Sequence, residues 1–354
     1  MSPRFGDLQI ITATAACIQS GDWSITGPTC DPFGRPYNYP VIWAQAFSAL
    51  GLNDSRVIVV GHIMGLLLIA ALAAPLVLLA RGRCSSSRVA GLSLCVASPP
   101  IALGLERGNT DGLILVVLVV SGVVYLRNRQ VSAALMGTVT GLKFFPVLVV
   151  AAFQPTRRKY SSLAVFVFFM IAMLTLSAES FVRLAEMQDP TAEFRFGSLL
   201  LPFYIVPVVL NFPRVWVLSG GVAVTLITSL LVWGVTRTQV RSMTHALGSD
   251  SLGSSLFTLG GLVFVGSFVS GSRGDYSQMF LVITLLGLAL SPANSWLVKS
   301  LFAMGLLSLW GAFWIHPELV LGDIATALCV CIITAVLLHG RLDELRRGFR
   351  ARTG

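Results

Sequence analysis

Glu106, Arg107, Asn109 and Asp111 stand together in LGLERGNTDGLILVVL, residues 103–118, between two long apolar runs. The grouping suits a polyhydroxylated ligand that carries phosphate. Carboxylates and amides hydrogen-bond hydroxyls, and guanidinium or ammonium groups hold phosphate oxygens. Similar chemistry recurs along the chain: Asp7, Asp31, Arg35, Tyr37, Asn38 and Tyr39 lie near the N-terminus, Lys143 lies inside a later apolar stretch, and Asp275 and Tyr276 lie in GSRGDYSQ. Aromatic rings among these suit stacking on a sugar face. ERGNTD also reads as a plain connecting turn in which Asn109 or Thr110 caps a helix beginning near Gly112. A cap does not call for four charged or amide groups together, so the turn is expected to line a ligand site. GDYS reads equally as an interfacial turn with an aromatic anchor.

These residues must be positioned by membrane helices. Hydrophobic residues make up 55% of the chain and charged residues 12%, against roughly 25% charged in a soluble domain, and the mean hydropathy is +0.80. Apolar stretches recur along nearly the whole length, each long enough to cross ~30 Å of hydrocarbon as a helix. Spans are expected near 56–80, 88–105, 112–126, 161–178, 214–235, 253–270, 279–291, 300–315 and 319–338. The expected fold is an all-α polytopic integral membrane protein of about nine transmembrane helices, one domain over residues 1–354.

Charge orients the spans. Arg81, Arg83 and Arg88, then Arg127 and Arg129, then Arg157, Arg158 and Lys159, then Arg237 and Arg241, then Lys299 mark one set of connections, and a basic tail over 339–354 joins them. By the positive-inside rule this set is cytoplasmic. The opposite set holds residues 1–54, ERGNTD, 179–213, GSRGDYSQ and HPEL, and carries most of the Asp and Glu. The net charge of +9 therefore reflects loops facing anionic lipid, and no nucleic-acid partner is implied.

One stretch breaks the alternation. Residues 130–154 are apolar yet bounded by basic clusters on both sides, so a re-entrant helical hairpin is expected, with Pro146, Gly137 and Gly141 fitting its bend. Lys143 sits at that bend, and an ionisable residue within the membrane is a functional candidate unless it snorkels to an interface. Residues 1–54 are expected to form an outer segment containing an amphipathic helix, too weakly apolar for a span and unlike a signal peptide. Cys17 and Cys30 share the outer side, where a disulfide can form. The cysteines and the four histidines show no metal-ligand spacing, so no metal or other cofactor is expected.

Four stretches together carry a resemblance: FGDLQIITATAACIQSGDWSI leading to YNYP, then ERGNTD, GLKFFP and GSRGDYSQMFL. They resemble, in order, anchors of the polyprenol-phosphate-sugar-dependent GT-C glycosyltransferases, in the branch of bacterial polyprenol-phosphate-mannose mannosyltransferases. The resemblance runs from residue 5 to about 281. It implies a GT-C-like bundle in the cytoplasmic membrane, with its active site outside and its C-terminus cytoplasmic. It implies inverting transfer of a hexose, mannose in that branch, from a polyprenyl-phosphate donor to a glycolipid or glycan acceptor. Asp7 matches the family's candidate base; the rival is Asp31, although CDPFGRP also reads as an ordinary turn. Arg35, Tyr37, Asn38, Tyr39, Glu106, Arg107, Asn109, Asp111, Lys143, Asp275 and Tyr276 would bind substrate. Ser277 stands where the family has Arg, and the family's Asp-bearing loop follows a first transmembrane helix, so two readings are open: residues 1–54 are carried outside by the span at 56–80, or a helix precedes them in a longer chain. Two other classes stay open. A lipid-linked-sugar transporter or flippase would also use an intramembrane Lys and a broken hairpin, and a non-catalytic assembly subunit is the third reading.

Overall fold

The computed structural model describes residues 4–21, 30–33, 37, 39–81, 86–143, 145–153, 160–177, 214–248, 251–269, 275–292, 295–314 and 321–353. The helices are α1 (Gly6–Gln19), α2 (Val41–Ala49), α3 (Val57–Arg81), α4 (Ser86–Val96), α5 (Pro99–Arg107), α6 (Thr110–Tyr125) and α7 (Arg129–Leu142). They continue as α8 (Ser161–Leu176), α9 (Arg214–Val235), α10 (Arg237–Leu247), α11 (Leu252–Val269), α12 (Met279–Ala289), α13 (Trp296–Trp314) and α14 (Leu321–Thr353). Short 3₁₀ segments cover Asp54–Arg56, Phe145–Phe153 and Asp275–Gln278. Among the described residues there is no strand, as hydrocarbon requires of anything short of a closed barrel.

The protein is an all-α polytopic membrane protein, and each of the nine expected spans falls on helix. Asp54–Arg81, Arg88–Arg107, Leu252–Val269 and Leu321–Arg346 are long and apolar enough to cross a bilayer, and shorter apolar helices fill the remaining positions. α3 shows why such a sequence suits lipid. Val57, Val60, Met64, Leu68, Leu72 and Leu79 recur at helical spacing and are buried, while Ile58, Ile63, Leu66 and Ile69 on other faces remain exposed. Apolar residues all round satisfy protein on one side and acyl chains on the other. At the centre, α12 is buried along its whole length and α11 along most of it.

Some expectations are corrected. The span at 88–105 is two helices, because Pro99 and Pro100 lack N–H groups and hold Ser98 extended (φ −70°, ψ 153°). Ser98 O then accepts from Ile101 N and Ala102 N and starts a new helix. The amphipathic helix expected in 1–54 is α1, but it is enclosed rather than two-faced: Asp7, Leu8, Thr12, Thr14 and Ile18 are buried, as it packs against α2, α3 and α5. The expected outer segments 179–213 and 316–319 lie outside the described residues.

The hairpin is present. α7 runs to an extended Lys143, and Phe145–Phe153 returns. Both ends meet at one end of α6, where Tyr125 Oη (3.1 Å) and Arg129 Nη2 (2.7 Å) donate to Ala152 O. Gly137 and Gly141 do not make the bend. They let α7 approach α8, because a Cβ at either position would collide with Phe166 O or Met173, the small-residue contact common between membrane helices.

The disulfide between Cys17 and Cys30 also forms, with Cα atoms 6.0 Å apart. It ties the end of α1 to the segment leading to Tyr37 and Tyr39. Closing a loop of this size contributes about 3 kcal/mol, so reduction, or Cys17→Ser with Cys30→Ser, is expected to speed proteolysis within residues 20–40. Cleavage at the oxidised rate would contradict that role.

Candidate functional site

The site is built on the turn between α5 and α6. Gly108 ends α5 with φ +61°, a left-handed conformation that favours glycine, and a Cβ there would lie 3.1 Å from that of Leu8. α1 is thereby docked directly on the turn. Phe5, just before α1, also takes a left-handed conformation (φ +59°), which costs a non-glycine residue about 1–2 kcal/mol. Its N–H donates to Glu106 O at 2.7 Å, which holds the strained start of α1 against the turn. Thr12 Oγ1 adds a hydrogen bond to Asp54 Oδ1 at 2.7 Å, fixing α1 to the foot of α3.

Asn109 joins both readings of ERGNTD. Its Oδ1 accepts from Asp111 N at 2.9 Å and caps α6, which starts at Thr110. Its Nδ2 donates to Asp7 Oδ2 at 2.6 Å and lies 3.5 Å from Tyr39 Oη. One amide therefore starts a helix with one end and orients a buried carboxylate with the other. Arg107 Nη1 stands 3.8 Å from Asp7 Oδ1.

Two residues on, in the first turn of α6, Asp111 is fully buried and paired with Lys143 at the hairpin bend. Ser277 Oγ donates to Asp111 Oδ2 at 3.4 Å. A lone buried carboxylate or ammonium would be costly, whereas the pair with added hydrogen bonds is tolerated. Lys143 thus does not snorkel; it turns inward to a partner. The cations keep open surface, with 43% of the Arg107 side chain and 22% of Lys143 exposed, while Asp7 and Asp111 are buried. Thr110 Oγ1 and Gln278 Oε1, flanking these groups in sequence, are buried without a hydrogen-bond partner.

Asp7, Tyr39, Arg107, Asn109, Asp111 and Lys143 are therefore brought together. Asp31 is held locally: it is buried beside Cys30, and its Oδ1 accepts from Phe33 N at 2.9 Å, closing a turn. Glu106 points its side chain outward and contributes only its carbonyl to the docking of Phe5. Tyr37 and Tyr39 are not open stacking platforms. Their rings, 6.1 Å apart, are packed with Leu8, Ile11 and Phe47, where the apolar body of Tyr is best placed, and only the hydroxyls reach polar groups. Tyr37 Oη donates to Pro40 O, and burial pushes its phenol above the ordinary value. Arg35 and Asn38, and the side chains of Asp275 and Tyr276, lie outside the described residues. The backbone of Asp275–Gln278 packs on α5 and delivers Ser277. Ser277 was missed as a site residue because a lone Ser carries no signal; only its place directly after Asp-Tyr pointed to it.

Comparison with known proteins shows the family of this chain. The model of glycosyltransferase family 87 covers residues 37–259, more than half of the 354 residues. That stretch contains Tyr39, the ERGNTD turn and Lys143, while Asp7 and Ser277 lie outside it. No curated protein and no solved structure matches the chain.

Proposed function

Because the chain belongs to glycosyltransferase family 87 and is thus a membrane glycosyltransferase, we propose that it moves a hexose, mannose by its resemblance, from a polyprenyl-phosphate donor to a glycolipid or glycan acceptor. The observation that carries this reading is Asp7. It is a buried carboxylate oriented by Asn109, beside the partly exposed Arg107, and the same turn holds Asp111, whose partner Lys143 is a second cation with open surface. In the reaction Asp7 takes the proton of the acceptor hydroxyl as that oxygen attacks the anomeric carbon. The bond from that carbon to the phosphate oxygen breaks, and polyprenyl phosphate leaves with its electron pair. Arg107 and Lys143 favour the phosphate charge. Proton transfer of this kind contributes 10²- to 10⁴-fold when base and hydroxyl come within about 2.6–3.2 Å. The unpartnered Thr110 Oγ1 and Gln278 Oε1 suit a hydroxylated ligand, since buried polar atoms ordinarily have partners.

The test compares donors. Membranes holding the protein are given labelled polyprenyl-phosphate mannose or labelled nucleotide mannose, with formation of the lipid-linked sugar blocked. Transfer from the lipid donor alone is expected. Transfer from the nucleotide donor alone contradicts the proposal, and movement of the lipid-linked sugar across vesicles without transfer supports a flippase.

The site is proposed to face outward from the cytoplasmic membrane, with the C-terminus cytoplasmic. Thr110 is unsuited as a reporter, since only 1% is exposed; Glu106 and Arg127, flanking opposite ends of α6, are exposed. In a Cys84→Ser background, Glu106→Cys is expected to react with an impermeant thiol reagent on intact cells and Arg127→Cys only after permeabilisation. The reverse pattern would invert the topology.

A further inference from the structure

A cavity of about 1000 Å³ opens at the other end of the helices, away from Asp7. Tyr125 and Ala152 line it, and Tyr125 is separated from Asp111 by the length of α6, about 21 Å at 1.5 Å per residue. Leu259, Leu262, Val265 and Val269 form one wall. Their spacing puts them along one face of α11, over about 15 Å. Thr225 and Leu226 of α9 and Val336 and Leu337 of α14 also line the cavity.

The mouth is basic. α10 turns Val240, Met243 and Leu247 into the protein and leaves Arg237, Arg241 and His245, one turn apart, exposed at the cavity. Arg341 and Arg346 are also there, but their charge is answered: Arg341 pairs with Glu344 at 2.6 Å and donates to Ala151 O, and Arg346 lies 3.9 Å from Asp343. Among the described residues, Arg237 and Arg241 have no acidic partner. Two unanswered cations at the mouth of a long apolar cleft match an amphiphile with an anionic head.

We propose that this cavity is a binding site for an anionic glycerophospholipid of the bilayer, its phosphate against Arg237 and Arg241 and an acyl chain along Leu259, Leu262, Val265 and Val269. A lipid held this way keeps its head at the far end of α6 from Asp7, so it is not the donor in a reacting pose. Basic side chains at an interface each attract anionic lipid by about 1 kcal/mol. Losing two therefore weakens binding roughly 30-fold.

The full chain, purified in detergent and stripped of lipid, is incubated with phosphatidylglycerol, phosphatidylcholine, polyprenyl phosphate or inorganic phosphate, and bound lipid is counted by native mass spectrometry. Retention of phosphatidylglycerol over phosphatidylcholine is expected, weakened roughly 30-fold by Arg237→Gln with Arg241→Gln. Both arginines are exposed, so the fold should survive their loss. Leu262→Trp, which fills the cleft and leaves the charges, should also reduce retention. Equal retention of phosphatidylcholine, unchanged binding in either variant, displacement by inorganic phosphate, or an arginine-dependent preference for polyprenyl phosphate would each overturn the proposal.

Discussion

Asp7→Asn is expected to lower sugar transfer by about 10²-fold or more while donor binding stays nearly unchanged. An amide has the same shape as the carboxylate, and its oxygen still accepts from Asn109 Nδ2, now 2.6 Å from Asp7 Oδ2. It cannot accept the proton of an attacking hydroxyl. The loss should therefore fall on turnover and spare donor affinity, which the proposal assigns to Arg107 and Lys143. Asp31→Asn is the control: an amide oxygen closes the same turn to Phe33 N, so the effect there should be small. The measurement is initial-rate transfer in membranes at matched protein levels, beside equilibrium binding of the donor. Near-normal turnover of Asp7→Asn together with loss in Asp31→Asn would move the base to Asp31.

Lys143→Met should sharply reduce the amount of folded protein. Its place at the bend marks Lys143 as a substrate-binding candidate, and the structure adds a buried ion pair to that role. Asp111 is fully buried and paired with Lys143 across 32 residues of sequence. Removing one partner of a buried pair costs about 3–5 kcal/mol, because the other charge is left uncompensated. The 3.4 Å hydrogen bond from Ser277 is too weak to replace it. Combining Lys143→Met with Asp111→Asn removes both charges, so it should recover most folded protein while transfer stays low. Folded yield and thermal unfolding in detergent read the first effect, and labelled transfer reads the second. A single variant as stable as the natural protein would show that the pair is not coupled.

The sequence made the helices and the polar turn legible for different reasons. Apolar length alone marks a membrane helix, so all nine expected positions fall on helix, and ERGNTD is conspicuous because polar groups between spans are few. Lys143 was visible for the same reason. Its partner was not, since nothing local pairs it with Asp111. The double use of Asn109 was also hidden: capping is a local pattern, but the contact with Asp7 joins residues 102 apart. Gly137 and Gly141 read as a bend because glycine is permissive in isolation, yet their role depends on α8, a helix met later in the chain. Tyr37 and Tyr39 looked like sugar platforms because aromatic type does not reveal burial. Their rings became core once α1 was enclosed.

The central claim is that Asp7 assists one direct displacement on a lipid-phosphate sugar. Its most direct test is the anomeric configuration of the product formed by purified protein from polyprenyl-phosphate mannose of known configuration, read by nuclear magnetic resonance before any second turnover. A single displacement inverts that centre, and an inverted linkage that disappears with Asp7→Asn is the predicted result. A product of retained configuration, or an inverted one formed equally well by Asp7→Asn, would contradict it.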